Sequence, residues 1–401
     1  MMIAEMSTWT IETANNMDAI KGLEIEHYTG SEAEINALLD QYVSNHEQGS
    51  IYHLSAWRKA IRLAYGHQDS VLIAKQNQTM VGLLPLSLMS VPVRGKQFVA
   101  LPFADFCDVL ADSPQIYAQL VHAARSLLFA GKAKKLAVRG RVVANIVGHK
   151  NTVAQSEAND QLSDDADSDS ESSDKHIIAN SKVRMLVRLP ESAEVLLASY
   201  KPKLRSQIKK AQKNGLSADI STSAAALEQF YAVYAKNMHR LGSPVHSFNW
   251  FIHLTQLLAP QQAFKIVLVS YQQQVVGAAL LLHYGKQAWI PWASTLADFN
   301  HLAPNMLLYW HTQAYLADQG ISTFDMGRST YGEGTYRFKA QWGAKPEALC
   351  WQTFDTVNTD GLIDLGMPAG RLRLLAEKIW RLLPLPVATT CGAFLRRYIS
   401  L

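Results

Sequence analysis

Residues 264–292 read FKIVLVSYQQQVVGAALLLHYGKQAWIPW. Phe264–Ser270, Val275–His283 and Gln287–Trp292 are three runs of strand length, rich in branched and aromatic residues and close enough in sequence to pair as a meander. Leu227–Leu241 upstream has the length of a helix. Pro304–Gln319 downstream is a second one, opening on a proline as first helical turns prefer. Thr323–Met326 and Ala348–Phe354 read as further strands, and Val183–Leu189 as a strand of alternating character. Leu204–Lys213 is a basic helix closing at Asn214–Gly215, a good C-cap.

The same order occurs once before. Helices over 31–45 and Ser55–Ala64 precede strands at Val71–Ala74, Val81–Met89 and Gln97–Leu101, with Asn77–Gln78 as a hairpin turn. A helix over Pro114–Ala130 and a strand at Lys135–Val138 follow. The halves share no obvious identity of sequence. Their common order of helices, three strands, helix and strand predicts an α/β (α+β) chain of two similar domains in tandem.

Composition agrees with that reading. The chain has 401 residues, 48% hydrophobic and 18% charged, which suits two or three globular domains and excludes a wholly disordered or fibrous chain. The first basic residue is Lys21, so the start of this sequence lacks the positive region of a secretory signal. No apolar run approaches the ~18–20 residues that span a bilayer. Cys107, Cys350 and Cys391 are widely spaced, which indicates neither a disulfide framework nor a zinc knuckle. The 13 histidines show no metal-ligand spacing, and no metal is expected.

The net charge of +4 hides an asymmetry. Residues 151–174, NTVAQSEANDQLSDDADSDSESSD, carry eight acids and no base, a composition expected to form a solvated tether. Setting that tract aside leaves 26 acids against 38 bases, a formal +12. A basic body suits phosphate-bearing substrates, tRNA or an anionic membrane surface. Duplex DNA is not expected as a partner. The segment Ala369–Ile399 is basic and amphipathic, ending its helical run at Pro384 and Pro386. It reads either as a helix packed on the body or as an interfacial membrane contact. The expected division is 1–148, an acidic insertion at 149–180, a second domain at 181–360 and a helical tail at 361–401.

Three stretches carry a family resemblance: YKPKLRSQIKKAQKNG at 200–215, YAVYAKNMHRLGSP at 231–244, and FDMGRSTYGEGTYRFKAQWGA at 324–344. Together they resemble the FemAB-like family of peptidoglycan-bridge aminoacyltransferases and relatives, most closely the branch associated with exosortase/PEP-CTERM and exopolysaccharide systems. Weaker similarity extends to Tyr52–Trp57, Val81–Leu86 and Leu101–Asp108. The resemblance implies two GNAT-like acyltransferase domains, each a mixed, mostly antiparallel sheet flanked by helices, with a substrate cleft on or between them. It further implies an acyl donor, aminoacyl-tRNA or an acyl thioester, used as a co-substrate with no tightly bound cofactor.

Individual residues point the same way. Asp325–Lys339 follows a strand, and Gly327, Gly332 and Gly334 permit positive φ or close backbone approach. The stretch is not a phosphate-binding Walker loop, because Glu333 stands where lysine is needed. The resemblance places Phe338 and Lys339 in the active region, with Lys339 expected to stabilise an oxyanion or a phosphate. Asp325 is expected to accept a proton or to orient Arg328. Arg337 supplies a further cation, and Tyr336 either stacks on substrate or packs. Arg205 and Lys209, four residues apart on one helix face, form either a phosphate clamp or ordinary solvated surface. Asn237 and Arg240 match the family pattern as substrate-orienting residues. Asp105 interrupts an apolar run and needs a partner or a ligand. Cys107 lacks a paired base and reads as a buried small residue. The loop Ser294–Pro304 has no glycine, unlike the pyrophosphate loop of acetyl-CoA enzymes, which favours another donor.

The expected function is transfer of an acyl or aminoacyl group to an amine of a phosphate-bearing cell-envelope or glycan precursor. The expected location is cytoplasmic, peripheral at the inner face of the membrane. An acyl-CoA- or acyl-carrier-dependent enzyme and a non-catalytic membrane-peripheral binding protein are the alternatives.

Overall fold

The computed structural model describes residues 9–10, 20–30, 33–140, 182–357, 362–363 and 371–400. The acidic insertion expected at 149–180 lies outside the described residues.

The first half runs β1 (Trp9–Thr10), β2 (Leu23–Thr29), α1 (Ala33–Asn45), α2 (Ser55–Tyr65), β3 (Gln68–Gln76), β4 (Thr79–Val91), β5 (Gly95–Val99), β6 (Leu110–Ala111), α3 (Pro114–Phe129) and β7 (Lys135–Gly140). The second runs β8 (Lys182–Arg188), α4 (Ala193–Ser199), α5 (Pro202–Lys213), β9 (Leu216–Ser221), α6 (Ala224–Leu241), α7 (Phe248–Leu258), β10 (Phe264–Tyr271), β11 (Gln274–Tyr284), β12 (Gln287–Thr295), α8 (Pro304–Asp318), β13 (Thr323–Thr330), α9 (Gly334–Ala340), β14 (Lys345–Ala348) and β15 (Cys350–Asp355). β16 (Leu362–Ile363), α10 (Arg371–Leu382) and α11 (Leu385–Arg396) complete it.

The expected repeat is present in detail. β3–β4–β5 and β10–β11–β12 are antiparallel meanders. The first hairpin turns through Asn77 and Gln78 and the second through Gln272 and Gln273, all four at positive φ, the backbone that a two-residue hairpin turn needs. Both hairpins carry a register shift, after Ala74 and after Val269. Gly82 and Gly277 occupy the same place in β4 and β11. A Cβ on Gly82 would meet Leu120 of α3 at 2.8 Å, so glycine there lets the helix close onto the sheet. Each meander ends in a parallel pair, β5 with β7 and β12 with β13, joined through α3 and α8.

One boundary departs from expectation. The strand near 350 belongs to the first sheet, where β15 pairs antiparallel with β7 from Cys350–Gly140 to Asp355–Lys135. In the second sheet the place beside β13 is taken by β8, the first strand of the second half, with β14 outside it. The first sheet is thus completed by chain that follows the second, so the split at 360 does not separate the halves. Sheet edges left unpaired expose a row of backbone groups, and β15 covers that of β7.

Apolar burial explains why the halves hold together. One core lies between the first sheet and α3, and another between the second sheet and α4, α5 and α8. A third is shared: Tyr52, Trp57 and Phe103 pack among Trp250, Phe251, Trp289 and Trp292. Trp57 stacks on Trp292 at 6.2 Å and 8° and meets Trp250 edge-on at 5.3 Å. The tail differs from its reading in one respect. Pro384 and Pro386 separate two helices rather than ending the last one, because proline is tolerated in a first helical turn.

Candidate active site

The site is built around a break in β13. Its pairing with β8 shifts register between Asp325 and Arg328, and Gly327 takes φ 77°. The bulge re-aims side chains and frees carbonyls that a regular strand would spend on its neighbour. Lys339, on the last turn of α9, donates its ammonium to the Gly327 carbonyl at 2.9 Å and the Arg328 carbonyl at 2.8 Å. Asp325 Oδ1 accepts the Gly327 N–H at 2.8 Å. Lys339 and Asp325 are both buried, at 8% and 7% exposure, so neither charge is solvated as it would be in water.

Burial decides their proton affinities. It raises the Asp325 carboxyl to about 6, helped by the Asp105 charge and opposed by Arg184, the Gly327 N–H and Lys339. It lowers the Lys339 ammonium to about 8, against the attraction of Asp325 and Asp105. Both groups titrate close to neutrality, the range in which a side chain gives and takes protons efficiently. An ammonium has three N–H donors, and two are used on the bulge carbonyls, so one remains for a third oxygen.

The first half supplies the facing wall. Arg328 Nε lies 3.6 Å from Asp105 Oδ1, and its guanidinium lies over Trp351 at 4.9 Å. Trp351 Nε1 donates to the Asp105 carbonyl at 2.9 Å. Arg184 lies over the Phe106 ring at 4.0 Å, bonds both oxygens of Glu347, and reaches within 3.9 Å of Asp325. Tyr52 is buried and its hydroxyl makes no hydrogen bond among the described residues. Its pKa is driven well above 10, first by burial and then by the charges of Asp325 and Asp105. Arg139 and Arg396 also feel Asp105 and Arg328. Arg328 and Arg184 therefore lie beside Asp105 and Asp325, with the Lys339, Arg139 and Arg396 charges felt there, an arrangement suited to an anionic substrate.

Sequence reading anticipated Asp105, Asp325, Arg328 and Lys339, and the fold brings all four together. It pairs them differently, however. Arg328 salt-bridges Asp105, whereas the cation beside Asp325 is Arg184, because the bulge turns residues 325 and 328 to different neighbours. Asn237 and Arg240 line a separate pocket of about 370 Å³, with Lys236, Asp298 and Arg381. There Asn237 bonds Ser294 Oγ at 3.1 Å and Arg240 bonds Asn237 Oδ1 at 3.0 Å. His239 donates to the Leu383 carbonyl, as a satisfied histidine does.

The remaining candidates lie elsewhere. Arg205 is half-buried and Lys209 exposed on α5, which packs against α8 and β9; neither makes an ion pair among the described residues. Phe338 packs on Tyr309 and Trp342, Tyr336 on Tyr331, and Arg337 bonds the Gly332 carbonyl. Cys107 is fully buried, as its lack of a paired base suggested.

Residues 198–340 match the family model of the acetyltransferase (GNAT) domain. The matched residues all lie in the second half. The match spans α5 through α9 and so includes Asp325 and Lys339. Among solved structures the chain is similar to FemX, at 15% identity and a TM-score of 0.57 over 80% of this chain and 95% of that one. Other neighbours are a tandem GNAT protein from the clavulanic acid biosynthesis pathway (10% identity, TM-score 0.47, 82% and 98% covered) and the C-terminal domain of a putative lysylphosphatidylglycerol synthetase from Agrobacterium fabrum (13%, 0.47, 80% and 91%). At these identities the likeness is one of fold. A search of curated proteins returns no sequence match. The domain matched is that of acetyltransferases, and the likeness to FemX is one of fold.

Several site residues were not anticipated. Tyr52, Arg139, Arg184, Glu347, Trp351 and Arg396 reach the cluster from six separate places in the chain. Arg184 left a partial signal: in β8 it alternates with buried Val183, Met185 and Val187, which put it on the opposite face of the GNAT sheet. The sequence does not disclose that the first half lies against that face.

Proposed function

We propose that the protein transfers an acyl or aminoacyl group to an amine of a phosphate-bearing cell-envelope or exopolysaccharide precursor in the cleft between its halves. The observation that carries this is the Lys339–Asp325 arrangement on the bulged strand, inside the matched domain. The amine nitrogen attacks the donor carbonyl, a C–N bond forms, and the C–O bond of an aminoacyl ester or the C–S bond of a thioester breaks. Asp325, with a carboxyl near 6, takes the proton released by the attacking amine and passes it to the departing oxygen of the ester or sulfur of the thioester, which leaves as the hydroxyl or thiol. The free N–H of Lys339 faces the oxygen on which negative charge develops. Arg328, whose side chain is about one-third exposed, meets the phosphate of the acceptor.

The donor is proposed as aminoacyl-tRNA. The glycine-free loop after β12 supports it, since backbone amides there cannot cradle a pyrophosphate as glycine-rich loops do. The domain match itself favours a thioester as the second reading. Incubation of the purified protein with charged tRNA, acyl-CoA or acyl-carrier protein, in the presence of amine-bearing glycan precursors, separates the two. Transfer from tRNA alone supports the first reading, transfer from a thioester replaces it with the second, and no transfer from any donor refutes both.

A further inference from the structure

Helices α10 and α11 form a hairpin laid along α6. Its inner side is clamped. Leu383 is bonded by His239 at 2.9 Å, and Arg381 donates to the Leu241 carbonyl at 3.2 Å. Gly392 lies so close to Val245 that a Cβ would meet its backbone nitrogen at 2.9 Å. At the far end Arg396 bonds His246, and Arg139 bonds the Ser400 carbonyl and hydroxyl.

The outer side is apolar and open. Leu375, Ile379 and Leu382 of α10 are 54%, 54% and 83% exposed, and Phe394 and Leu395 of α11 are 59% and 41% exposed. Their spacing puts each set on one helix face. Residues 382–395, LLPLPVATTCGAFL, contain no charge. Arg371, Arg373, Lys378 and Arg381 precede them, Arg396 and Arg397 follow, and Glu377 is the sole acid from 369 to 401. Exposed apolar side chains gathered on two successive helices in this way mark an interaction surface.

Charge selects the occupant. A second copy docked on the same face would oppose bases with bases. Lys378 and Arg381 are exposed beside the apolar side chains, and an apolar face with exposed bases matches a bilayer, whose acyl boundary takes the leucines and whose anionic headgroups meet those cations. Among the described residues no helix is long and apolar enough to cross a membrane, so the hairpin would lie on the surface.

We propose that the α10–α11 hairpin is a docking face for an anionic lipid bilayer. The hairpin also contributes Arg381 to the pocket of Asn237 and Arg240, so a docked bilayer lies beside that pocket. This inference stands independently of the transfer reaction, because its test reads binding.

The test is co-sedimentation of the full chain with phosphatidylcholine vesicles, with or without roughly one-third phosphatidylglycerol. Binding to the anionic vesicles alone, weakening as salt rises, is expected. The triple variant Ile379→Glu, Leu382→Glu, Phe394→Glu should lower the bound fraction about tenfold or more while leaving the circular-dichroism melt unchanged, because all three side chains are exposed. Should the triple variant fold poorly, Leu382→Glu alone serves as the probe and should still lower binding severalfold. Absence of vesicle binding, equal binding by the variants, or binding that ignores lipid charge would overturn the proposal. So would a dimer in sedimentation velocity that the triple variant dissolves.

Discussion

Arg328 of the second half lies 3.6 Å from Asp105 of the first, joining the two walls of the cleft through side chains that are each about one-third exposed, at 32% and 37%. Solvent screens such a pair, and its net contribution to stability is at most about 1 kcal/mol. Its value is therefore positional. Arg328→Ala should lower kcat/KM by roughly tenfold, the scale of one lost charged contact, while moving the melting temperature little. The exchanged pair Asp105→Arg with Arg328→Asp should restore stability but not activity, because the Trp351 ring is positioned to stack on a guanidinium at position 328 and the substrate reads the sign of the charge there. Kinetics alongside thermal melts check both.

The pH dependence follows from the two buried groups. Asp325 is raised from 3.8 to about 6, so between those values the native state binds more protons than the unfolded chain and stability falls as pH rises. Asp325→Asn should therefore stabilise the protein near pH 7, by on the order of 2 kcal/mol, while removing activity. Lys339 is lowered from 10.5 to about 8, so the cost of burying its charge is present below about pH 8 and is relieved as pH rises toward 10.5. The rate of transfer should rise through about pH 6 and fall through about pH 8. Lys339→Arg should abolish the alkaline limb, whatever its effect on the maximum rate. Rate–pH profiles of both variants check the assignment.

Gly327 tests the bulge itself. Its φ of 77° disfavours any side chain, and a Cβ there would lie 3.9 Å from Lys339 Nζ. Space is adequate, so the penalty is backbone strain of about 1–2 kcal/mol. Gly327→Ala should lower the melting temperature by several degrees and cut transfer more than stability alone accounts for, because both carbonyls that hold Lys339 move. A rate loss fully recovered on cooling would assign the effect to folding instead.

The meanders, the Asn77–Gln78 turn and the tandem repeat were legible because strand alternation, turn residues and helix length are local properties, whereas Gln272–Gln273 carries no turn residue to announce the second hairpin. Asp105 was legible for the same reason, as a charge inside an apolar run. Tyr52 and Arg184 were not. Each is unremarkable in its own element and becomes part of the site only where the halves pack. β15 misled for a related reason. A strand states its own propensity but not its partner, and the chain carries it back to β7. The tail was read correctly as amphipathic, yet the local rule that proline stops a helix obscured α11.

The shared core makes a prediction about folding. Trp57 is fully buried between Trp250 and Trp292, so Trp57→Ala should cost about 3–5 kcal/mol. Since that core is shared and β15 returns from the second half to the first sheet, unfolding should occur as one calorimetric transition, in the wild type and in the variant. Two separated transitions would show that the halves are stable independently.

The most direct test of the catalytic account is the transfer rate of Lys339→Met, which keeps the length of the side chain and removes its charge. The account predicts a loss of about 100-fold or more, on the scale of one removed oxyanion donor, in a protein that still melts cooperatively. Transfer at the wild-type rate by that variant would contradict it.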